Sequence, residues 1–290
     1  MTAKPYRPHD LPEYRNSAVA NDQLWQFVSM TRGMVLKHTE DFAHPELMRR
    51  MLGQAALWWI GADASELVEH AAPSMPPATL TPELMPDEVG FVCFERPITG
   101  VDADHEGMAI EVDCILWERG TVVGHDAVSI IAWRHSDDAG APIPLGRADW
   151  IVGTDTDHRL DGLTDAQHAS IVEDRRVLAA LWQLSSQASI ADTTEAEPDR
   201  ATQRRLARRG HEVPTVRIVN LASHQRPHSA PSGDAEASRE YRRRWIVGGH
   251  WRQQACGPQW SQRRPVYIAP HIKGPEDKPL VTPEPVKVWR

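Results

Sequence analysis

Ala109-Ile-Glu-Val-Asp-Cys-Ile-Leu-Trp117, then Glu118-Arg119-Gly120, then Thr121-Val122-Val123, is the stretch that decides the fold. Its arms are rich in β-branched and aromatic residues, and Ile110, Val112 and Cys114 alternate with Glu111 and Asp113, so both arms read as strands. The polar Glu-Arg-Gly between them reads as the turn of a hairpin. The same texture recurs outward, in Phe91-Val-Cys-Phe94, in the remainder of 121–133 and in 148–152, each set off by Gly, Pro or Asp. The expectation is an antiparallel meander of three to five strands.

Helical spacing flanks this region. Asp22 is placed to cap a helix running through Leu24, Trp25, Phe27, Val28 and Met30. Pro45-Glu46 opens a longer one, with Leu47, Met51, Leu52, Ala55, Trp58 and Trp59 recurring at helical intervals. Over 164–189 Ile171, Val172, Val177, Leu178, Leu181, Trp182 and Leu184 fall on one stripe, the signature of a helix covering the sheet. Prolines at 73, 76, 77, 82 and 86 make the intervening segment a linker or a rigid surface loop. The fold class is therefore α+β: N-terminal helices and a helix of the C-terminal half packed on an antiparallel meander, with a small basic β-rich module at the end. In domain terms the sequence divides into an extended, polar, proline-punctuated arm at 1–21, an acidic α+β body at 22–200, and a basic C-terminal module at 201–290 with a mobile 222–238 loop.

The charge pattern sharpens that division. The chain of 290 residues has a net charge of −8, but residues 1–200 carry 15 Lys/Arg against 33 Asp/Glu, and residues 201–290 carry 17 against 7. An asymmetry of −18 against +10 points to an anionic partner for the basic part, or to its docking on acidic surface. No apolar run reaches the roughly 18 to 20 residues of a membrane span, and the first ten residues lack a secretory apolar core. A cytoplasmic protein without a membrane partner is expected. Cys93, Cys114 and Cys256 are odd in number and widely spaced, which fits free thiols and gives no zinc pattern.

The residues with the most pronounced chemistry lie in the tail. Arg242-Arg243-Arg244-Trp245, His250-Trp251-Arg252 and Arg263-Arg264, followed by His271 and Lys273, interleave cations with rings. Guanidinium groups pair with phosphates and rings stack on unpaired bases, so this set is the expected RNA-binding surface. The competing reading makes Trp245, Trp251 and Trp260 core residues of a β-unit with the arginines on its solvated face. Gly248-Gly249 and Cys256-Gly257-Pro258 read as tight turns. The histidines match no metal-ligand spacing, and the chain has no phosphate-cradling glycine loop, nucleophile elbow or kinase-type signature. No cofactor, metal or catalytic residue is assigned. Two other function classes stay open: a ribonuclease using tail residues or the cluster Asp155, Asp157, His158, Asp161 and Asp165, and a protein-interaction or assembly component with no nucleic acid.

Gly249-His250-Trp251-Arg252, followed by Gly257-Pro258, Arg263-Arg264 and Val266-Tyr-Ile-Ala-Pro270-His-Ile-Lys-Gly274, resembles the C-terminal signature of a family spread among phages and mobile elements. That signature has an arginine-rich lead-in, Gly-His-Trp and a basic residue, a glycine-containing turn, and a strand of alternating apolar residues. The family includes an anti-CRISPR protein directed against the type V-A nuclease, understood to act during synthesis of the nuclease and to lower its messenger RNA. Elsewhere the likeness is one of order, from N-terminal helices through Leu84-Met-Pro-Asp87 and a strand at 90–94 to the basic tail. Trp245-Ile-Val-Gly248 departs from the arginines of the signature, Arg252 replaces a histidine, and Ala255-Cys256 takes a turn that often holds an aromatic residue, so target specificity is not carried over. The resemblance implies a mobile-element protein acting on a transcript or a translating ribosome, with a nascent or folded host protein as a further partner, and with Arg243, Arg244, His250, Trp251 and Arg252 at the matching positions.

Overall fold

The structure, a computed structural model, describes residues 7–22, 24–26, 45–102, 108–136, 141–208, 210, 213–222, 244–269, 271–273 and 280–281. It divides into two compact units, Met1–Ala222 and Ser223–Arg290.

The first unit is built on a seven-stranded sheet. Its strands are β1 (Ala56–Ile60), β2 (Val89–Asp102), β3 (Met108–Val122), β4 (His125–Ser136), β5 (Ala141–Ile151), β6 (Ala191–Ala196) and β7 (Val216–Leu221), in the order β5-β4-β3-β2-β1-β7-β6. From β2 to β5 they form the expected antiparallel meander. β1 then lies parallel to both β2 and β7, and β6 closes the far edge antiparallel to β7.

β1 corrects the expected long helix. Helix α2 (Pro45–Gln54) ends before Ala55, and Leu57, Trp58, Trp59 and Ile60 are buried in a strand, between 0% and 3% exposed. A parallel strand covered on both faces is an unbroken apolar run, and such a run also satisfies helical spacing, so periodicity alone favours neither. Pairing with neighbours on both sides decides for the strand, and alternation sends Trp58 and Trp59 to opposite faces.

On the Trp59 face, Leu57, Phe91, Cys93, Cys114, Leu116, Ile131 and Trp133 meet α1 (Leu11–Ala20) and α2 through Leu11, Tyr14, Ala18, Met48, Met51 and Leu52. α1 therefore replaces the extended arm over residues 11–20. Asn21, not Asp22, takes the capping role ahead of the next helical residues, its Oδ1 accepting the Leu24 N–H at 3.1 Å. Residues 27–30 of that expected helix lie outside the described residues.

On the opposite face, helices α3 (Ala62–Ala71) and α4 (Asp165–Ser185) cover the sheet. The cover is a chain of indoles: Trp58 to Trp117 (6.0 Å between centroids), Trp117 to Trp182 (5.6 Å) and Trp182 to Trp150 (6.5 Å, nearly parallel). Gly90 makes room for it, since a Cβ there would fall 2.0 Å from the Trp117 ring. Thr164 caps α4 in a reciprocal box with Gln167, so the helix begins where the sequence placed it.

The proline segment is a fastened strap. Ala78, Leu80 and Met75 are buried, and Leu80 exchanges backbone hydrogen bonds with Gly153 and Thr154 while Thr156 N–H reaches Ala78 O. Arg175, fully buried on α4, donates to the carbonyls of Asp149, Thr156 and His158 and holds the loop beyond β5. β6, α5 (Arg200–Arg208) and β7 all belong to the first unit, so the division falls at Ala222/Ser223 and not at residue 200.

The second unit contains β8 (Arg244–Val247), β9 (His250–Cys256), β10 (Gln262–Ile268), β11 (His271–Lys273) and β12 (Leu280–Val281). β9 and β10 pair as an antiparallel hairpin, while β8 pairs antiparallel with β11 and parallel with β12. Residues 223–243, which include the expected mobile loop apart from Ala222, lie outside the described residues.

Candidate nucleic-acid interface

Between Glu240 and Glu276 the sequence contains no carboxylate, while Arg242, Arg243, Arg244, Arg252, Arg263, Arg264 and Lys273 supply seven cations. The second unit as a whole carries 12 Lys/Arg against 6 Asp/Glu, and the first 20 against 34, so the charge asymmetry follows the structural division. The β9–β10 hairpin sits inside the carboxylate-free stretch.

Its register sorts the expected residues by face. Cross-strand partners share a face and neighbours along a strand alternate. His250 opposite Ile268, Arg252 opposite Val266, and Gln254 opposite Arg264 make one face. Arg252 and Arg264 are diagonal neighbours there, both exposed and without an ion pair among the described residues. His250 is exposed beside them, its Nδ1 3.1 Å from the carbonyl of Gly248.

Trp251 lies on the other face. It is half-buried and meets its register partner Tyr267 edge-on at 5.2 Å, with Tyr267 only 3% exposed. Burial raises the Tyr267 phenol above its ordinary pKa. Trp251 thus packs within the unit, as the competing core reading has it, and is separated by the pleat from His250 and Arg252. The interleaving visible in the sequence becomes, on a strand, a cationic face and an aromatic packing face.

The ring that reaches outward is Trp260, 68% exposed at the hairpin tip. The tip is shaped by Gly257 (φ +74°), where a Cβ would come within 2.9 Å of the Gln262 side chain. Gln259 and Trp260 then both adopt positive φ, +53° and +59°. A left-handed backbone costs an L residue about 1–2 kcal/mol. It is held by hydrogen bonds from Trp260 N–H to Gly257 O, Ser261 N–H to Pro258 O, and Arg263 Nη1 to Trp260 O at 2.8 Å. An exposed indole on a strained but braced turn is an outlier that suggests use. The competing core reading counted Trp260 with Trp245 and Trp251, and the expected RNA-binding set left it out; the turn signal Cys256-Gly257-Pro258 was the clue that set it in a loop.

The other expected residues are placed less fully. Arg242 and Arg243 lie outside the described residues. Arg244, Trp245, His271 and Lys273 are strand positions, Trp245 pairing with Lys273 and with Val281, His271 with Val247, and Arg244 with Leu280. In the first unit, the Asp155–Asp165 cluster fastens its own loop. Arg176 grips Asp157 at 2.8 Å, Arg159 reaches Asp165 at 2.9 Å, and Asp155 accepts the Asp157 N–H. Burial would raise the Asp157 pKa, but hydrogen bonds from Arg176 and Thr156 outweigh it and hold the carboxyl below its usual range.

No family model matches this chain, and no curated protein matches it in sequence. Among solved structures, the crystal structure of AcrVA2 is similar to 91% of this chain over 98% of its own, at 15% identity and a TM-score of 0.45.

Proposed function

We propose that this chain is a non-catalytic RNA- or ribosome-associated protein of phages or mobile elements, which down-regulates a host transcript or counteracts host defence. The observation that supports this most is the β9–β10 hairpin, a carboxylate-free surface with Arg252, Arg264 and His250 on one face and the exposed Trp260 ring at its tip. Phosphates suit the two exposed guanidinium groups, and an unpaired base suits the indole, so single-stranded RNA is the ligand both features share. The resemblance of the Gly249–Gly274 stretch to a mobile-element family provides the biological setting. Arg242, Arg243 and Arg244 add three more cations next to β9 in the chain.

The test is fluorescence anisotropy with a labelled single-stranded RNA across a salt series, with and without EDTA. Binding is expected to weaken linearly on a log–log salt plot, with a slope of about −0.7 per phosphate contact. R252Q/R264Q should flatten that slope by one to two contacts, with the melting temperature unchanged. Trp260→Ala should weaken binding by roughly 5- to 150-fold, the stacking of one base at about 1–3 kcal/mol. RNA that is cut, or a chain whose affinity ignores both salt and these substitutions, would overturn the reading.

A further inference from the structure

The core beneath α1 holds two thiols side by side. Cys93 and Cys114 are direct register partners on adjacent antiparallel strands, each 2% exposed, with Sγ atoms 2.7 Å apart. Directly opposed residues on antiparallel strands have Cα atoms about 4.5 or 5.5 Å apart, and both spacings fall within the roughly 4.4–6.8 Å that a disulfide spans. The register therefore places them at a spacing that a disulfide can span.

Their position also provides a way in. Cys93–Cys114 is the last matched pair before the β2–β3 ladder breaks, and pairing resumes only at Ile98–Val112. The apolar cluster that encloses the pair includes Leu11, Tyr14 and Ala18 of α1 and Met48, Met51 and Leu52 of α2. Local opening at a ladder break takes less free energy than global unfolding. The third cysteine, Cys256, is half-buried on β9 in the other unit and is an internal control.

We propose that Cys93 and Cys114 form a modification site, a dithiol that a hydroperoxide converts into a cross-strand disulfide. In the first step one sulfur attacks a peroxide oxygen and the O–O bond breaks. The leaving alkoxide takes up a proton as an alcohol, or as water from hydrogen peroxide, and the sulfur becomes a sulfenic acid. In the second step the other sulfur attacks the sulfenic sulfur, the S–S bond forms, and hydroxide leaves with the second thiol's proton as water. Two electrons pass from the two sulfurs to the peroxide, and two protons leave with the oxygens. The product ties β2 to β3 where their hydrogen-bonded pairing stops.

The experiment uses the full chain. Native protein is treated with hydrogen peroxide, unfolded without reductant, alkylated with N-ethylmaleimide and weighed intact. The expected result is a loss of two hydrogens and one maleimide added in place of three, with a reducible cross-link between the peptides of Cys93 and Cys114. The oxidised chain should also melt several degrees higher, since a bond closing a loop of about 20 residues restrains the unfolded state. Cys256→Ser should keep the cross-link. Cys93→Ala and Cys114→Ala, each checked for a native melting transition, should lose it and take up two maleimides. Three maleimides after oxidant, sulfinic acid at either position without a cross-link, or a bond to Cys256 would overturn the proposal.

Discussion

Val123 occupies the first corner of the β3–β4 turn, at φ +49°, with Gly124 following at +79°, and its side chain is 88% exposed. Two positive φ values in a two-residue loop closed by Val122 and His125 are a type I′ turn, whose twist matches the strands it joins. Asparagine or glycine favours the first corner, while a β-branched residue there is strained and, at this exposure, packs against little. Val123→Asn is therefore expected to stabilise the chain by about 1 kcal/mol, seen as a higher urea midpoint at unchanged slope. The same residue explains a misplacement: Thr-Val-Val reads as strand, so the turn seemed to fall at Glu118-Arg119-Gly120, which in fact pair with Ser129, Val128 and Ala127 inside the ladder.

At the scale of the element, α4 shows how a well-signalled helix can still carry a conflict. Its start, stripe and length were legible, because Thr164 and Gln167 cap it and Leu178, Leu181, Trp182 and Leu184 bury one face. What the sequence could not show is that Arg175 lies on the inside, where it donates to the carbonyls of Asp149 on β5 and of Thr156 and His158 in the loop beyond it. Desolvation lowers the Arg175 pKa to about 10. Next to it, desolvation raises Asp174 from 3.8 to about 7, and the Glu173 charge adds to the shift while Arg175 opposes it. The folded chain holds a proton on Asp174 that the unfolded chain releases between those values, so stability falls as pH rises from about 4 to about 7. The loss is complete only once the pH is well above 7. Asp174→Asn, which cannot ionise, should match the wild type in urea melts at pH 4 and exceed it at pH 8. Equal midpoints at both pH values would refute this.

For the whole molecule, charge and apolar burial are allotted to different units. The first unit has a sheet covered on both faces by apolar side chains, and ion pairs such as Arg159–Asp165 and Arg119–Glu88 that are mostly solvent-exposed. Exposed pairs contribute about 0–1 kcal/mol each and are screened by salt, so they add little to stability. The second unit sets the exposed Arg252 and Arg264 on one hairpin face. Raising salt from 0.05 to 0.5 M should thus leave the main thermal transition within a few degrees while RNA affinity drops steeply. A transition that falls in step with affinity would mean that the same charges hold the fold.

By itself the sequence determined the α+β class, the β2–β5 meander, the start of α4 and the charge division, because each rests on local periodicity, capping chemistry or composition. Tertiary structure alone decided three things. It inserted Ala56–Ile60 between β2 and β7, since an apolar run suits helix or strand until partners satisfy its backbone. It turned residues 11–20 into a buried helix, since a face becomes a core only when a sheet lies beneath it. And it parted Trp251 from Arg252 and set Trp260 outside, because a pleat sends neighbours to opposite faces and only pairing register fixes which face is which.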